Sequence, residues 1–190
     1  MTVSRALRYL QRQMTAEEIY ESVTNGGSSD FATVAAILDR HGPWCLIGGL
    51  AVNCYVEPVY TVDADIVVVA EELEAIADRL TAAGFRIERF AHSLNARKAA
   101  GKLNVQFTQD PRYQDFLGRA KPREVLSRTV PVADLKDIVQ GKVWAWSDRQ
   151  RRLSKRKKDE LDLIRIGEAY PELRRDMPRE IVSQLEGGAK

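Results

Sequence analysis

With 190 residues, 44% hydrophobic and 29% charged, the chain has the composition of a soluble globular protein with enough apolar material for a core. A formal net charge of +2 excludes any argument for nucleic-acid binding from bulk charge. No apolar run reaches the roughly 18 residues of a membrane span, and the N-terminus shows no apolar signal core, so a cytoplasmic protein without membrane contact is expected.

Residues 4–23 carry a weak helical pattern in Leu7, Leu10, Met14 and Ile19. Asn25-Gly26-Gly27-Ser28-Ser29 reads as a linker. Asp30 is placed to N-cap a helix to about Arg40, with Phe31, Val34, Ala35 and Leu38 inward. His41-Gly42-Pro43 stops it, and a short strand from Trp44 to Ile47 runs into Gly48-Gly49. Residues 50–56 read as a short helix ended by Pro58. Asp63 to Val69 reads as a central strand, because its second half is wholly apolar. Glu71 to Ala83 fits a helix with Leu73, Ile76, Ala77 and Leu80 inward, closed by Gly84. Phe85 to Phe90 reads as a strand, and Ser93–Lys98 with Lys102–Thr108 as a hairpin turned at Ala100-Gly101. A polar loop then leads through Pro111 and Pro122 to Val130-Pro131-Val132. Beyond it the pattern is helical, with Leu135, Ile138 and Val139 in one segment and inward Leu161 and Ile164 in another, Asp159 to Glu168. Pro171 and Pro178 flank a short C-terminal helix. The expected class is α+β (α/β), a mixed sheet of about four or five strands flanked by helices. The expected division is an N-terminal helix and linker (1–29), a core (30–132) and a C-terminal helical part packing on it (133–190).

The chemistry concentrates between Ile47 and Val69. Gly48-Gly49 lets the backbone approach a ligand closely, since no Cβ intervenes. Asp63 and Asp65, two apart on a strand, point to one face. Carboxylates that close repel unless a cation separates them, and hard Mg2+, or Mn2+, is the natural one. Cys45 and Cys54 lack a metal or redox spacing and read as buried thiols in a reducing cytosol, and His41 and His92 are too isolated for a zinc site.

Gly48-Gly49 followed by Thr61-x-Asp63-x-Asp65 resembles the nucleotidyltransferase fold of the polymerase-beta-like superfamily, in particular minimal nucleotidyltransferases and the AbiEii-type toxin group. Downstream, Asp134-Leu135-Lys136-Asp137, Lys142 and Lys158-Asp159-x-x-Asp162 resemble the helical elements of AbiEii-type proteins. The resemblance spans roughly residues 30 to 170. It implies Mg2+ on Asp63 and Asp65, triphosphate at Gly48, Gly49 and Thr61, and Lys142 and Lys158 on phosphate or acceptor beside a site wall of Asp159 and Asp162. It further implies transfer of a nucleoside monophosphate from a nucleoside triphosphate to a hydroxyl on RNA, such as a tRNA end, a protein or a small molecule. A toxin–antitoxin setting would add an antitoxin protein as partner.

The pattern is broken where a third carboxylate is expected. The strand Lys102 to Phe107 offers only the neutral Asn104 and Gln106 on its free face, and Asp110 lies just beyond it. The alternative expectation is therefore a protein that keeps the fold but only binds nucleotide, nucleic acid or a protein partner. Plainer readings stand beside the functional ones. The aspartates can simply begin a strand, the glycines form an ordinary turn, and Lys142 snorkel at a core edge. Lys155 reads as a surface partner of Asp159, four residues on. Arg149 to Lys158, with seven Lys or Arg and no acid, reads as a solvated loop or as a strip for phosphate backbones. Trp144 and Trp146 read as core.

Overall fold

The computed structural model describes residues 16–91 and 93–187. The first part of the helical pattern read over residues 4–23, up to residue 15, and the reading of His92 lie outside the described residues. At the centre are β1 (Trp44–Ile47) and β2 (Asp63–Val68), antiparallel, with Ile47 opposite Asp65. β5 (Asn104–Thr108) lies parallel to β2 on its far side. β3 (Arg86–Arg89) and β4 (Ser93–Arg97) extend that edge as antiparallel neighbours, with the hairpin from β4 to β5 as expected.

The other edge corrects the expected strand count. The stretch read as a polar loop leading through Pro122 to Val130-Pro131-Val132 forms the hairpin β6 (Lys121–Val125) and β7 (Arg128–Val132), and β7 runs parallel to β1. Among the described residues the sheet therefore has seven strands, ordered β3-β4-β5-β2-β1-β7-β6. β6 exposes most of its residues and carries Pro122, which an edge strand tolerates because its N–H is not required. The turn at Leu126-Ser127 has positive φ at both residues (48° and 59°) without the Asn-Gly pair that usually announces it.

Helices α1 (Ala16–Thr24) and α2 (Gly27–Leu38) precede the sheet. α2 begins at Gly27 behind a left-handed Gly26, so Asp30 is not the N-cap but a buried residue of the first turn, paired with Lys98 Nζ at 2.8 Å. The expected inner face of Phe31, Val34, Ala35 and Leu38 is buried. The five-residue α3 (Gly48–Val52) follows β1, and α4 (Leu73–Ala82) buries Leu73, Ile76, Ala77 and Leu80 as its periodicity requires. In β2 and β5, Ala64, Ile66, Val105 and Phe107 point into the core, while Asp63, Asp65, Asn104 and Gln106 occupy the opposite, less buried side.

Facing that side across two cavities are α5 (Leu135–Ser147) and α6 (Leu153–Ala169), which pack on each other. α6 starts inside the basic strip rather than after it. It buries Leu163 and Ile166, whereas Leu161, expected inward, is 46% exposed. A 3-10 segment occupies Pro171–Asp176, and α7 (Arg179–Gly187) follows Pro178 rather than lying between the prolines. Among the described residues no helix is long and apolar enough to cross a membrane.

Candidate functional site

Strand register places the two aspartates. Parallel pairing sets Asp63 beside Asn104 and Asp65 beside Gln106, and the two-residue spacing turns all four to one side of the sheet. β1 ends against them. Gly48 has φ +70°, and a Cβ added there would lie 2.0 Å from Asp65 Oδ2. The glycine is thus required twice, by its backbone conformation and by the carboxylate against it. Gly49 is less constrained, since a Cβ there would meet Thr61 Oγ1 at 3.5 Å, an ordinary contact. Thr61 Oγ1 accepts from Asp63 N at 3.3 Å and so shapes the start of β2. The loop before β2 is pinned by Asn53, which bonds Val59 through both amide atoms.

The two aspartates differ in partners. Asp63 Oδ2 accepts from Lys155 Nζ at 2.6 Å, and Asp63 Oδ1 from Asn104 Nδ2 at 3.4 Å. Lys155 is therefore not the surface partner of Asp159 that its spacing suggests. Asp65 has no hydrogen-bond or ion-pair partner among the described residues. Burial pushes its pKa up to about 6, and Asp63 adds to the rise against Lys142, Lys155 and Arg151.

Behind the aspartates lies a buried charge cluster built by α5 and α6. Lys142 Nζ contacts Asp159 Oδ1 at 2.9 Å and Asp162 Oδ2 at 2.6 Å. Burial works against its ammonium, but Asp162 and Asp159 outweigh that and hold its pKa above the ordinary lysine value. Arg151 Nε reaches Asp159 Oδ2 at 3.0 Å, and Arg165 bridges Asp162 to Asn53 and the carbonyl of Glu57. Lys158 is exposed, at the rim.

Two cavities meet at Asp65. One, of about 200 Å3, is bounded by Gly49, Thr61, Asp63 and a wall in which Lys142, Arg151, Lys155, Lys158 and Arg165 alternate with Asp159 and Asp162. The other, of about 540 Å3, is lined by Gly48, Thr108 and the aromatic residues Tyr113, Phe116 and Trp144. Its aromatic rings interlock, with Trp144 stacked on Phe116 at 5.9 Å and edge-on to Tyr113 at 5.3 Å. Asp65, Gln106, Lys142, Arg151 and Asp159 line both cavities. The structure thereby separates the two amides: Gln106 faces the cavities, whereas Asn104 is a partner of Asp63. Asp110 lines the larger cavity with Asp65 and Gln106, and its carboxylate is paired there with Arg112, at 2.6 Å for the shortest contact.

Comparison with solved structures identifies the architecture. The antibiotic-resistance factor ANT(2'')-Ia in complex with adenylyl-2''-tobramycin aligns over 83% of this chain and 97% of its own, with 15% identity and a TM-score of 0.56. The fold is that of nucleotidyltransferases. The solution structure of ANT(2'')-Ia gives 14% identity and a TM-score of 0.51, covering 78% of this chain and 95% of that one. An antigenic nucleotidyltransferase-like protein from Paracoccidioides brasiliensis gives 19% identity and 0.50, covering 83% and 85%. No protein-family model and no curated protein sequence matches the chain.

On this nucleotidyltransferase fold, the sequence motifs are brought together with residues that sequence reasoning missed. Arg151 and Lys155 sit in the basic strip, but a strip does not say which of its side chains turn inward. Arg165, Asn53, Tyr113 and Phe116 carried no signal, and Trp144, read as core, is only half-buried and lines the larger cavity. As ligands for a metal, Asp63 and Asp65 offer two hard carboxylates and Gln106 a neutral amide oxygen, a donor set that fits one divalent cation. Among the described residues no three acidic, His or Cys side chains converge as a metal-holding group.

Proposed function

We propose that the protein is a metal-dependent nucleotidyltransferase, moving a nucleoside monophosphate from a nucleoside triphosphate to a hydroxyl acceptor in the cytoplasm. The observation that carries this reading is the Asp65 carboxylate, without a partner among the described residues, seated on Gly48 on a nucleotidyltransferase fold and facing Arg151, Lys155 and Lys158. A Mg2+ or Mn2+ ion on Asp63 and Asp65 would polarise the α-phosphate and offset charge on the leaving pyrophosphate. The chain's own residues do the rest. The backbone at Gly48 and Gly49 admits the triphosphate without Cβ obstruction. Arg151, Lys155 and Lys158 offset its charge from α6 and the segment before it. Lys142, held by Asp159 and Asp162, positions these helices rather than reaching for phosphate.

The aromatic cavity has the size of a small-ligand site, which ranges over about 300–1,000 Å3, and suits a small hydroxylated acceptor or a nucleobase. The adenylylated ligand in the ANT(2'')-Ia complex supports the same general chemistry. An RNA acceptor, such as a tRNA end, would use the exposed Arg149, Arg152 and Lys158 of the basic strip. A protein side chain is a further acceptor class. A toxin–antitoxin role with an antitoxin partner rests on the AbiEii-like motifs alone.

The second reading is a nucleotide-, nucleic-acid- or partner-binding protein without turnover, favoured by the neutral Gln106 and by Lys155 on Asp63. Incubation with nucleoside triphosphates labelled at the α-phosphate, Mg2+, total RNA and lysate separates the two. Transfer of label that is lost in Asp63→Ala and Asp65→Ala supports the enzyme. Metal-dependent nucleotide binding without transfer supports the second reading.

A further inference from the structure

We propose that this site operates with a single divalent cation, and that the ammonium of Lys155 is the fixed positive charge where a second cation would otherwise be needed. The inference rests on the nucleotidyl-transfer reading and deepens it. Three observations support it.

The first is the division of labour between the aspartates. Asp63 has both oxygens engaged by N–H donors, Lys155 Nζ at 2.6 Å and Asn104 Nδ2 at 3.4 Å. Asp65 has no such partner among the described residues, although it lies between both cavities. One carboxylate thus shares its charge with a protein cation, and the other shares it with none, so a cation bridging the two meets Lys155 on the Asp63 side only. The second is the neutral residue beside Asp65. Gln106 pairs with it in register and lines both cavities. An amide oxygen can ligate a hard cation but brings no charge to offset a second one. The third is the anchoring of Lys155. It lies one turn before Asp159 on α6, and Asp159 is tied to Lys142 and Arg151 at 2.9 and 3.0 Å. The ammonium is therefore delivered to Asp63 by a helix fixed at that turn.

The electrostatic balance agrees. Two carboxylates, one ammonium and one dication leave the same net charge as three carboxylates and two dications. Replacement of the third acid by Gln106 and placement of Lys155 on Asp63 are thus two halves of one compensation. The ammonium cannot activate a hydroxyl as a metal does, but it holds Asp63 in place and attracts phosphate oxygens.

The test is the stoichiometry and affinity of Mn2+ binding, followed by electron paramagnetic resonance on the full chain, with circular dichroism as the check on folding. The wild type is expected to bind one Mn2+. Lys155→Ala is expected to bind it roughly fivefold more tightly, as loss of a partly exposed competing charge implies. Gln106→Glu combined with Lys155→Ala is expected to bind two. Lys155→Met, which keeps the aliphatic stem, replaces Lys155→Ala if the latter does not fold. Two Mn2+ in the wild type would overturn the inference while leaving nucleotidyl transfer standing, which the α-phosphate label assay reports separately. Unchanged affinity in Lys155→Ala, or a single Mn2+ in the double variant, would overturn the role of Lys155. No Mn2+ in the folded wild type would overturn the inference, and absence of labelled transfer as well would remove the reading beneath it.

Discussion

Gly48→Ala is the sharpest probe of how the site is assembled. At φ +70° an alanine pays the left-handed penalty of about 1–2 kcal/mol. Its Cβ would also lie 2.0 Å from Asp65 Oδ2, 2.7 Å from Cγ and 2.8 Å from Cβ. The carboxylate can rotate away, at about 1 kcal/mol for leaving its preferred rotamer, but the Cβ–Cβ approach is relieved only by backbone movement. The total expected loss is about 2–3 kcal/mol, or roughly 5–10 °C in melting temperature for a chain of this size. Urea unfolding followed by tryptophan fluorescence measures it. The cause is isolated by a double-mutant cycle with Asp65→Gly, because Asp65→Ala would retain the offending Cβ. In the Asp65→Gly background the cost of Gly48→Ala should fall to the backbone penalty, leaving a coupling of about 1 kcal/mol. An equal cost in both backgrounds would refute the claim that Asp65 is what demands a glycine.

Asp65 also sets a pH dependence. Its folded pKa, near 6, is raised above the ordinary value of 3.8, so its contribution to stability is present below about pH 4 and lost as pH rises through 6. In chelator, Asp65→Asn should therefore be more stable than wild type at pH 8 by up to about 3 kcal/mol, with the gap closing by pH 4; a pH-independent difference in urea midpoints would contradict this. Lys142→Met leaves Asp159 and Asp162 buried with only Arg151 and Arg165 as partners, and should cost about 3 kcal/mol; a calorimetric loss under about 1 kcal/mol would show the cluster to be slack. Lys158→Ala, at an exposed position, should change stability by less than about 0.5 kcal/mol while raising the apparent KM for the triphosphate. A fall in kcat at saturating triphosphate would instead place Lys158 in the chemistry.

What the sequence revealed follows from how local each signal is. Gly48 and the Asp63–Asp65 pair are legible because both sit next to strands whose apolar runs fix their direction. The β4–β5 hairpin is legible because alternation in Leu103, Val105 and Phe107 matches its burial. The β6–β7 hairpin is hidden because β6 is an exposed, proline-bearing edge and its turn is made by Leu126 and Ser127. Asp30 misleads because an acid near a helix start looks like a cap, whereas this one is buried against Lys98, far along the chain. Lys155 misleads in the same way. Its four-residue spacing from Asp159 is real, but its partner is Asp63, 92 positions away. Pairings set by the tertiary fold leave no periodicity to read.

The buried lysine and the cation at the aspartates are one construction. Lys142 on α5 is enclosed by Asp159 and Asp162 of α6, so it joins the two helices at a fixed rotation and depth. Arg165, four residues on from Leu161, carries the same helix to Asn53 and Glu57, at the loop that leads into β2. α6 is therefore tied on one side to α5 and on the other to the segment that presents Asp63. With those two ties in place, the turn that carries Lys155 lies within reach of Asp63, and its Nζ meets Oδ2 at 2.6 Å. Paired buried charges contribute little net stability compared with apolar packing, but they specify geometry, and here the geometry specified is the distance between a protein cation and a strand carboxylate. This explains why a segment so rich in Lys and Arg is followed directly by two buried aspartates. Without Asp159 and Asp162, Lys142, Arg151 and Arg165 would crowd one another, and the helix that carries Lys155 would lose its position over β2.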